Sequence, residues 1–448
     1  MKVAVVGGGI SGLAAAHYLA RRGAEVVLVE RERRLGGLMQ TDCVDGCVVE
    51  RGPDSFLASK PWGLELIAEL GLEDEVIPSN DRGRVTYILR GGRLVPLPEG
   101  VMMVAPSRIG PMLRTPLLGW RAKLGMGLEF FRRPAPEGGD RSVEEFLLGH
   151  YGREVADYLV EPLLAGVYGG DPAQLSARAV LPQFVEMERR YGSLTRGAIA
   201  ARRKANRGAG PAFRSLRRGL GSLVERLVET LRGRVEFVTG EMEGVERGFH
   251  LRVSGATLAA DALVVACPAW AAAAILRPLN EELAALLGGI PYNDALTVAL
   301  GYSRSDCAGL PPGFGFLVPK RERERLLACT FVHNKFDCRA PADRAVLRCF
   351  FGGDAMDLRD AGVVEAARGE LRRILGLDAT PLFASVSRWP RAMAQYNVGH
   401  EERVKRIESI VRAIPGLRLA GNGYHGIGIP DCIRGGKEAA EGLIPAHR

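Results

Sequence analysis

Met1-Lys2-Val3-Ala4-Val5-Val6-Gly7-Gly8-Gly9-Ile10-Ser11-Gly12 opens the chain and decides its fold. Lys2 to Val6 is a short β-rich run, Gly7 to Gly12 spaces three glycines as GxGxxG, and Leu13 to Arg22 follows with helical patterning that stops at Gly23. A second apolar strand, Glu25 to Val29, ends in Glu30. Strand, tight turn, helix and acid-capped strand make a dinucleotide-binding fingerprint. Gly7 makes the turn, Gly9 lets the backbone approach a pyrophosphate, and Gly12 lets helix and strand pack closely. The phosphate sits on the helix N-terminus. The Glu30 carboxylate accepts ribose hydroxyls and repels a 2′-phosphate.

Downstream, Arg31-Glu32-Arg33-Arg34-Leu35-Gly36-Gly37 is a basic stretch closed by a glycine pair that brings more backbone N–H groups to the pyrophosphate. Plain NAD dehydrogenases seldom have this, so FAD is the expected nucleotide. The other formal match, Gly421-Asn422-Gly423-Tyr424-His425-Gly426, follows the apolar run Leu417 to Ala420. The short remainder of the chain has room for a helix but not for a second acid-capped strand. It reads as the returning arm of the same site, and no nicotinamide site is expected. A flavin reduced by substrate and reoxidised by oxygen or another acceptor means an oxidase or desaturase.

The rest of the composition narrows the class. In 448 residues, 47% hydrophobic and 25% charged, the chain can bury two or three cores and is not disordered, collagenous or coiled coil. The longest charge-free apolar stretch, Ala262 to Leu276, is too short to span a bilayer and is cut by Pro268. The start has no signal-peptide pattern, so a cytoplasmic protein is expected. Cys43, Cys47, Cys267, Cys307, Cys329, Cys338, Cys349 and Cys432 form no CxxC pair and no zinc spacing, so neither a disulfide framework nor a metal site is indicated. The net charge of +8 is densest from Arg189 to Arg218, a run whose only aromatics are Tyr191 and Phe213. That argues against nucleic acid and for a solvated, partly mobile connection. No nucleophilic triad, HExxH or paired-carboxylate signature is present, and no general base is nominated.

Five further stretches carry a resemblance over the full length to the FAD-dependent porphyrinogen oxidases of haem biosynthesis, within the flavin amine oxidase superfamily. They are ERGPDSF (Glu50 to Phe56), EPLLAGVYGGD (Glu161 to Asp171), FRSLRRGLGSL (Phe213 to Leu223), WPRAMAQYNVGH (Trp389 to His400) and AGNGYHGIGIPDCIRGGK (Ala420 to Lys437). The resemblance implies an α/β fold. Residues 1–79, 208–280 and 404–448 would form a Rossmann-like FAD-binding domain assembled from separated segments. Residues 80–104 and 281–403 would form an α+β substrate domain, and residues 105–207 a helical insert. The coarse pattern agrees: strand signals surround 1–79, 233–267 and 417–421, and 105–205 reads mostly helical. Arg84 to Leu89, the turn Arg90-Gly91-Gly92-Arg93, and Leu94 to Leu97 read as a β-hairpin.

Carried over residue by residue, the resemblance implies nucleotide contacts at Gly7, Gly8, Gly9, Ile10, Ser11, Gly12, Glu30, Arg31 and Gly37. Gly52, Pro53, Asp54 and Ser55 fall near the isoalloxazine, Val238 at the adenine, Trp389 beside the flavin, and Ile427, Gly428 and Ile429 in the C-terminal loop that meets the ring. Trp389 as a core tryptophan and Asp54 as a turn or N-cap residue are the structural alternatives. The implied reaction removes six electrons from a reduced tetrapyrrole in three cycles, each yielding hydrogen peroxide from molecular oxygen.

One departure bears on substrate. Thr86 stands where mitochondrial and chloroplast-type protoporphyrinogen oxidases carry a propionate-anchoring arginine, and threonine cannot make that bidentate contact. The Gram-positive type, acting on coproporphyrinogen III, has a small hydroxyl residue there. Coproporphyrinogen III is therefore the favoured substrate and protoporphyrinogen IX the alternative. If Arg84 to Leu89 is a strand, Arg84 shares a face with Thr86 and replaces the missing charge. An amine oxidase or carotenoid desaturase is the remoter alternative. In the insert, Met102, Met103, Val104, Leu113, Leu117, Leu118, Trp120, Leu124, Met126, Leu128, Phe130 and Phe131 stand among arginines. They suit either a helix core or peripheral contact with the inner face of the cell membrane. The sequence leaves open the oligomeric state, the physiological acceptor and whether product passes to a downstream haem-pathway enzyme.

Overall fold

The computed structural model describes residues 1–134, 138–204 and 210–445. β1 (Lys2–Val6), α1 (Ile10–Arg21) and β2 (Glu25–Glu30) form a parallel βαβ unit, with Val3 opposite Val26 and Val6 opposite Val29. Three strands from distant parts of the chain complete a parallel sheet in the order Val235–Thr239, β2, β1, Ala262–Val265, Leu417–Leu419. Its strands are apolar at nearly every position because both faces are covered. α1 and the helices Gly221–Leu231 and Ile429–Leu443 bury one face. The helices Ala269–Leu276, Glu281–Gly288 and His400–Arg412, with the meander of Met242–Glu246, His250–Val253 and Ala256–Ala259, bury the other. This is the doubly wound α/β fold that the opening residues predict.

A mixed sheet of seven strands stands beside it, in the order Phe383–Ala394, Tyr292–Ser303, Arg344–Phe351, Leu326–Phe331, Gly315–Leu317, Thr86–Arg90, Arg93–Pro96. Only Gly315–Leu317 against Thr86–Arg90 pairs parallel. The expected hairpin is present at its edge. Gly91 (φ 57°) and Gly92 (φ 73°) supply the two positive φ angles of its tight turn. Its first strand starts later than the sequence pattern suggests, at Thr86. Arg84 instead closes the 3-10 turn Asp81–Gly83, so strand alternation does not place it on one face with Thr86. Its guanidinium lies 3.8 Å from the Asp81 carboxylate and 5.4 Å from the Phe213 ring centroid. The short acid-and-glycine turn before Val85 outcompetes strand extension because its side chain and backbone satisfy one another locally.

Between Ile109 and Lys204 the described chain is mainly helical, around a core that includes Phe146, Leu147, Leu159 and Phe184. This core splits the insert's apolar residues. Val104, Leu117, Leu118 and Met126 are buried, whereas Trp120, Leu124, Leu128 and Phe131 are 67% to 77% exposed. The basic run is not a mere connection. Arg189 to Lys204 lies on the helices Pro182–Tyr191 and Leu194–Lys204, Phe213–Leu216 is a strand, and Arg207 lies outside the described residues. Arg218 reaches Glu75 at 3.9 Å. Regular secondary structure forms here because apolar positions spaced between the arginines face the insert core.

Candidate functional site

The turn between β1 and α1 has the shape its glycines require. Gly7 has φ 107° and donates to the Val29 carbonyl at 2.8 Å. A Cβ on Gly12 would lie 1.8 Å from the Gly7 carbonyl oxygen. α1 starts at Gly9 with no side-chain cap, and a Cβ on Gly9 would meet nothing within 4 Å. Uncapped N–H groups therefore face open space, the arrangement that takes a phosphate. Ile10 and Ser11 are buried in the first turn. The Glu30 carboxylate accepts from Gly8 N at 2.6 Å and from Glu32 N at 2.9 Å, which fixes it at the mouth of the turn. Gly36 N donates to the Gly8 carbonyl at 2.7 Å, and Gly37 lies against the Gly9 backbone. The glycine pair thus joins the phosphate turn. Val238 pairs with Val29, one position before Glu30. Arg31 pairs outward with Glu32 at 3.2 Å.

The Glu50–Ser55 segment lies beside the backbone that follows the glycine pair. A Cβ on Gly52 would lie 1.9 Å from the Leu38 carbonyl, so this strand end must be glycine to pass the backbone that follows Gly37. The Arg51 carbonyl accepts three bonds: Trp389 Nε1 at 2.9 Å, Thr297 Oγ1 at 3.3 Å and Arg348 Nη2 at 3.2 Å. Arg348 also donates to the Gly52 carbonyl. Beyond Pro53, the Asp54 carboxylate accepts from Lys335 Nζ at 2.9 Å and Ser55 Oγ at 2.6 Å. Burial by itself would raise the Asp54 carboxyl, but the Lys335 ammonium and Arg348 guanidinium hold it well below the usual carboxylate range. Asp54 is thus an ion-pair partner of the short helix Val332–Lys335.

The C-terminal arm returns to the first helix. After Leu417–Leu419, an edge strand, the chain turns at Gly421 (φ 129°) and enters the helix Ile429–Leu443. Among the described residues no strand follows. Gly428 is an uncapped N-cap, and Ile427 packs on the insert core. Tyr396 pins this loop, donating to the Asn422 carbonyl and accepting from Gly426 N, both at 2.8 Å. His400 stacks on Tyr396 at 4.0 Å and meets the Tyr424 carbonyl at 3.1 Å, and burial drops its pKa to about 4. Gly436 brings the helix back to the first turn, where a Cβ would lie 2.3 Å from the Ser11 carbonyl.

The three segments are therefore linked by close backbone approaches, Gly37 to Gly9, Gly52 to Leu38 and Gly436 to Ser11, around an open helix N-terminus with a carboxylate beside it. The residues fit an extended dinucleotide. Arg84 and Thr86 lie apart from that turn, on the hairpin side. Burial pushes the thiols of Cys267 and Cys432 up to about 12 and about 11, which leaves them unreactive. Among the described residues there is no metal-holding cluster, and no helix is long and apolar enough to cross a membrane. Sequence reasoning missed Lys335, Arg348, Thr297 and Tyr396. Arg348 left a signal, a cation in the middle of the otherwise apolar run Ala345 to Phe351, whereas Lys335 left none.

The family model described as flavin containing amine oxidoreductase matches residues 10–444. Coproporphyrinogen III oxidase of Bacillus subtilis is 33% identical over 99% of this chain and 97% of its own. The enzyme of that name from Propionibacterium freudenreichii is 34% identical over 99% and 90%. Chloroplastic protoporphyrinogen oxidase 1 of Arabidopsis thaliana is 29% identical over 97% and 86%. The crystal structure of a provisionally assigned protoporphyrinogen oxidase from Exiguobacterium sp. superposes with TM-score 0.89 at 31% identity, covering 100% of this chain and 99% of that one. Kinship along the sequence and in the fold agree: the chain belongs to the flavin containing amine oxidoreductase family and is a flavin-dependent oxidoreductase.

Proposed function

We propose that the chain binds FAD and oxidises coproporphyrinogen III to coproporphyrin III in haem biosynthesis, with molecular oxygen as acceptor. The carrying observation is that relatives named coproporphyrinogen III oxidase match at 33% and 34% identity over 99% of the chain. Thr86 in place of an arginine supports that substrate over protoporphyrinogen IX. The latter is the second reading, favoured by the Exiguobacterium fold at TM-score 0.89. The balance is six hydrogens leaving the porphyrinogen while three oxygen molecules become three hydrogen peroxide molecules. Bound FAD supplies the hydride-accepting chemistry. The chain's own residues bind and orient.

In this reading the α1 N-terminus takes the pyrophosphate with Gly7, Gly8, Gly9, Ile10, Ser11, Gly12 and Gly37, and Glu30, Arg31 and Val238 take the adenosine half. Gly52, Pro53, Asp54, Ser55, Trp389, Ile427, Gly428 and Ile429 frame the ring. Residues 1–79, 208–280 and 404–448 serve as the FAD-binding domain, 80–104 and 281–403 as the substrate domain, and 105–207 as the insert. Arg84, 45% exposed, and Thr86 are the proposed propionate contacts. The protein works in the cytoplasm, docked on the inner face of the cell membrane through Trp120, Leu124, Leu128 and Phe131. The exposed cations Arg114, Arg121, Arg132 and Arg133 beside that stripe suit anionic lipid.

The test is an aerobic assay of the purified yellow protein with both porphyrinogens side by side, following porphyrin fluorescence and peroxide. Faster turnover of coproporphyrinogen III, by about tenfold or more (about 1.4 kcal/mol of discrimination), supports the reading. Preference for protoporphyrinogen IX selects the second, and failure with both ends the porphyrinogen assignment. An unchanged KM in Arg84→Ala removes Arg84 from the substrate site.

A further inference from the structure

The Arg51–Ser55 loop rests on a buried cluster of charges that no nucleotide contact explains. Three cations, Lys335, Arg339 and Arg348, face two carboxylates, Glu50 and Asp54. Lys335 pairs with Asp54 at 2.9 Å and Arg339 with Glu50 at 3.1 Å. Arg348 is left over: among the described residues no carboxylate lies within ion-pair distance of it. Its side chain is buried on the middle of the strand Arg344–Phe351, its Nη2 is spent on the Arg51 and Gly52 carbonyls, and its Nε has no partner. Burial of such a guanidinium is costly, and lost packing alone does not require it, since an apolar side chain would fill the same place more cheaply. Nor does Glu50 compensate the excess, because its carboxylate is already paired with Arg339.

We propose that Arg348, with Lys335, is a positioning residue for the flavin-side loop and that the surplus positive charge it leaves there biases the bound flavin toward its reduced state. The inference rests on the reading of Gly52–Ser55 as the loop beside the isoalloxazine. Oxidised flavin that takes up two electrons and one proton gains a negative charge. A fixed cation held in a low-dielectric site stabilises that charge without reorganisation. Three hydrogen bonds on the Arg51 carbonyl keep the loop, and hence the charge, in one place.

The test is a reductive titration of the holoenzyme against a reference dye. Arg348→Met is expected to shift the reduction equilibrium about tenfold toward oxidised flavin, which for a two-electron couple is about 30 mV more negative. Arg348→Lys, which keeps the charge, is expected to stay near the wild-type potential. Lys335→Met and Asp54→Asn supply the sign test, and they decide the matter if Arg348→Met does not fold. Removing the cation moves the potential down, and removing the anion moves it up. A purely structural role would not split the two signs. A folded, yellow Arg348→Met at the wild-type potential, or Lys335→Met and Asp54→Asn moving together, overturns the inference. A wild-type protein that refuses FAD on reconstitution overturns the flavin-loop reading itself.

Discussion

Two helices of similar length begin alike and end up with opposite tasks. α1 starts on Gly9 and the insert helix Trp120–Glu129 on Gly119; both glycines are extended N-caps with no side-chain cap. At Gly119 the end is filled, because the Glu154 carboxylate accepts from Gly119 N at 3.0 Å and is itself held by Arg90 at 2.8 Å. At Gly9 the space is open. The first helix is buried without a break from Ile10 to Leu19, whereas the second turns Trp120, Leu124 and Leu128 outward. A helix N-terminus attracts anions in both places. At the insert helix a carboxylate takes the N-cap N–H itself, whereas at α1 the Glu30 carboxylate takes the N–H of Gly8, one residue earlier, and leaves the helix end open.

The comparison breaks most sharply at Gly12. Gly12→Val drives a side chain into the Gly7 carbonyl, and we expect loss of bound flavin with destabilisation of about 3 kcal/mol, read from the flavin-to-protein absorbance ratio and the melting temperature. The counterpart Gly127→Ala, on the insert helix with nothing within 4 Å of its Cβ, should instead stabilise by about 0.5–1 kcal/mol. A destabilised Gly127→Ala would mean that the insert helix is not free on that face.

Acid should act on the buried side next. His400 and His333 each have a folded pKa lowered to about 4, by burial first. The unfolded chain takes up those protons near the ordinary histidine value of 6.5, so their contribution is complete above that pH and is lost as pH falls toward 4. Each loss is on the order of 2 kcal/mol. Melting against pH should steepen in that window, and His400→Gln should flatten it; an unchanged slope refutes the neutral buried imidazole.

Exchanging the two carboxylates tests the helix ends directly. Glu30→Gln is expected to weaken FAD about tenfold, or about 1.4 kcal/mol, by reconstitution of the apoprotein. Glu154→Gln should leave FAD binding alone and cost about 1 kcal/mol of stability through the loosened insert helix. If both variants lose FAD equally, the two ends are coupled and the contrast fails.

Smallest in stability is the outer stripe. Leu124→Glu with Leu128→Glu should change unfolding free energy by at most about 0.5 kcal/mol while abolishing sedimentation with anionic lipid vesicles. Retained binding would move the membrane contact elsewhere.

The legible part of this molecule was the part built from local rules. Gly7 and Gly12 are read from spacing because backbone sterics permit few other residues there: Gly7 has φ 107°, and a Cβ on Gly12 would lie 1.8 Å from the Gly7 carbonyl oxygen. The later hairpin was legible from Gly91 and Gly92 for the same reason. Arg84 was misplaced because a turn at Asp81–Gly83 and a strand starting two residues early look alike in sequence. The apolar residues of the insert were readable as core or as surface, and spacing could not separate Met126 from Leu128.

By itself the sequence determined the strand–turn–helix unit and the acid at the end of its second strand, since these depend on residue type at fixed backbone spacing; that distant segments join it was implied by the resemblance of their motifs. Tertiary structure alone decided which helix end stays open, which apolar face meets water, and that Arg348, 296 residues beyond Gly52, holds the loop. Those outcomes depend on what the rest of the chain brings to a place, and local spacing carries no information about it.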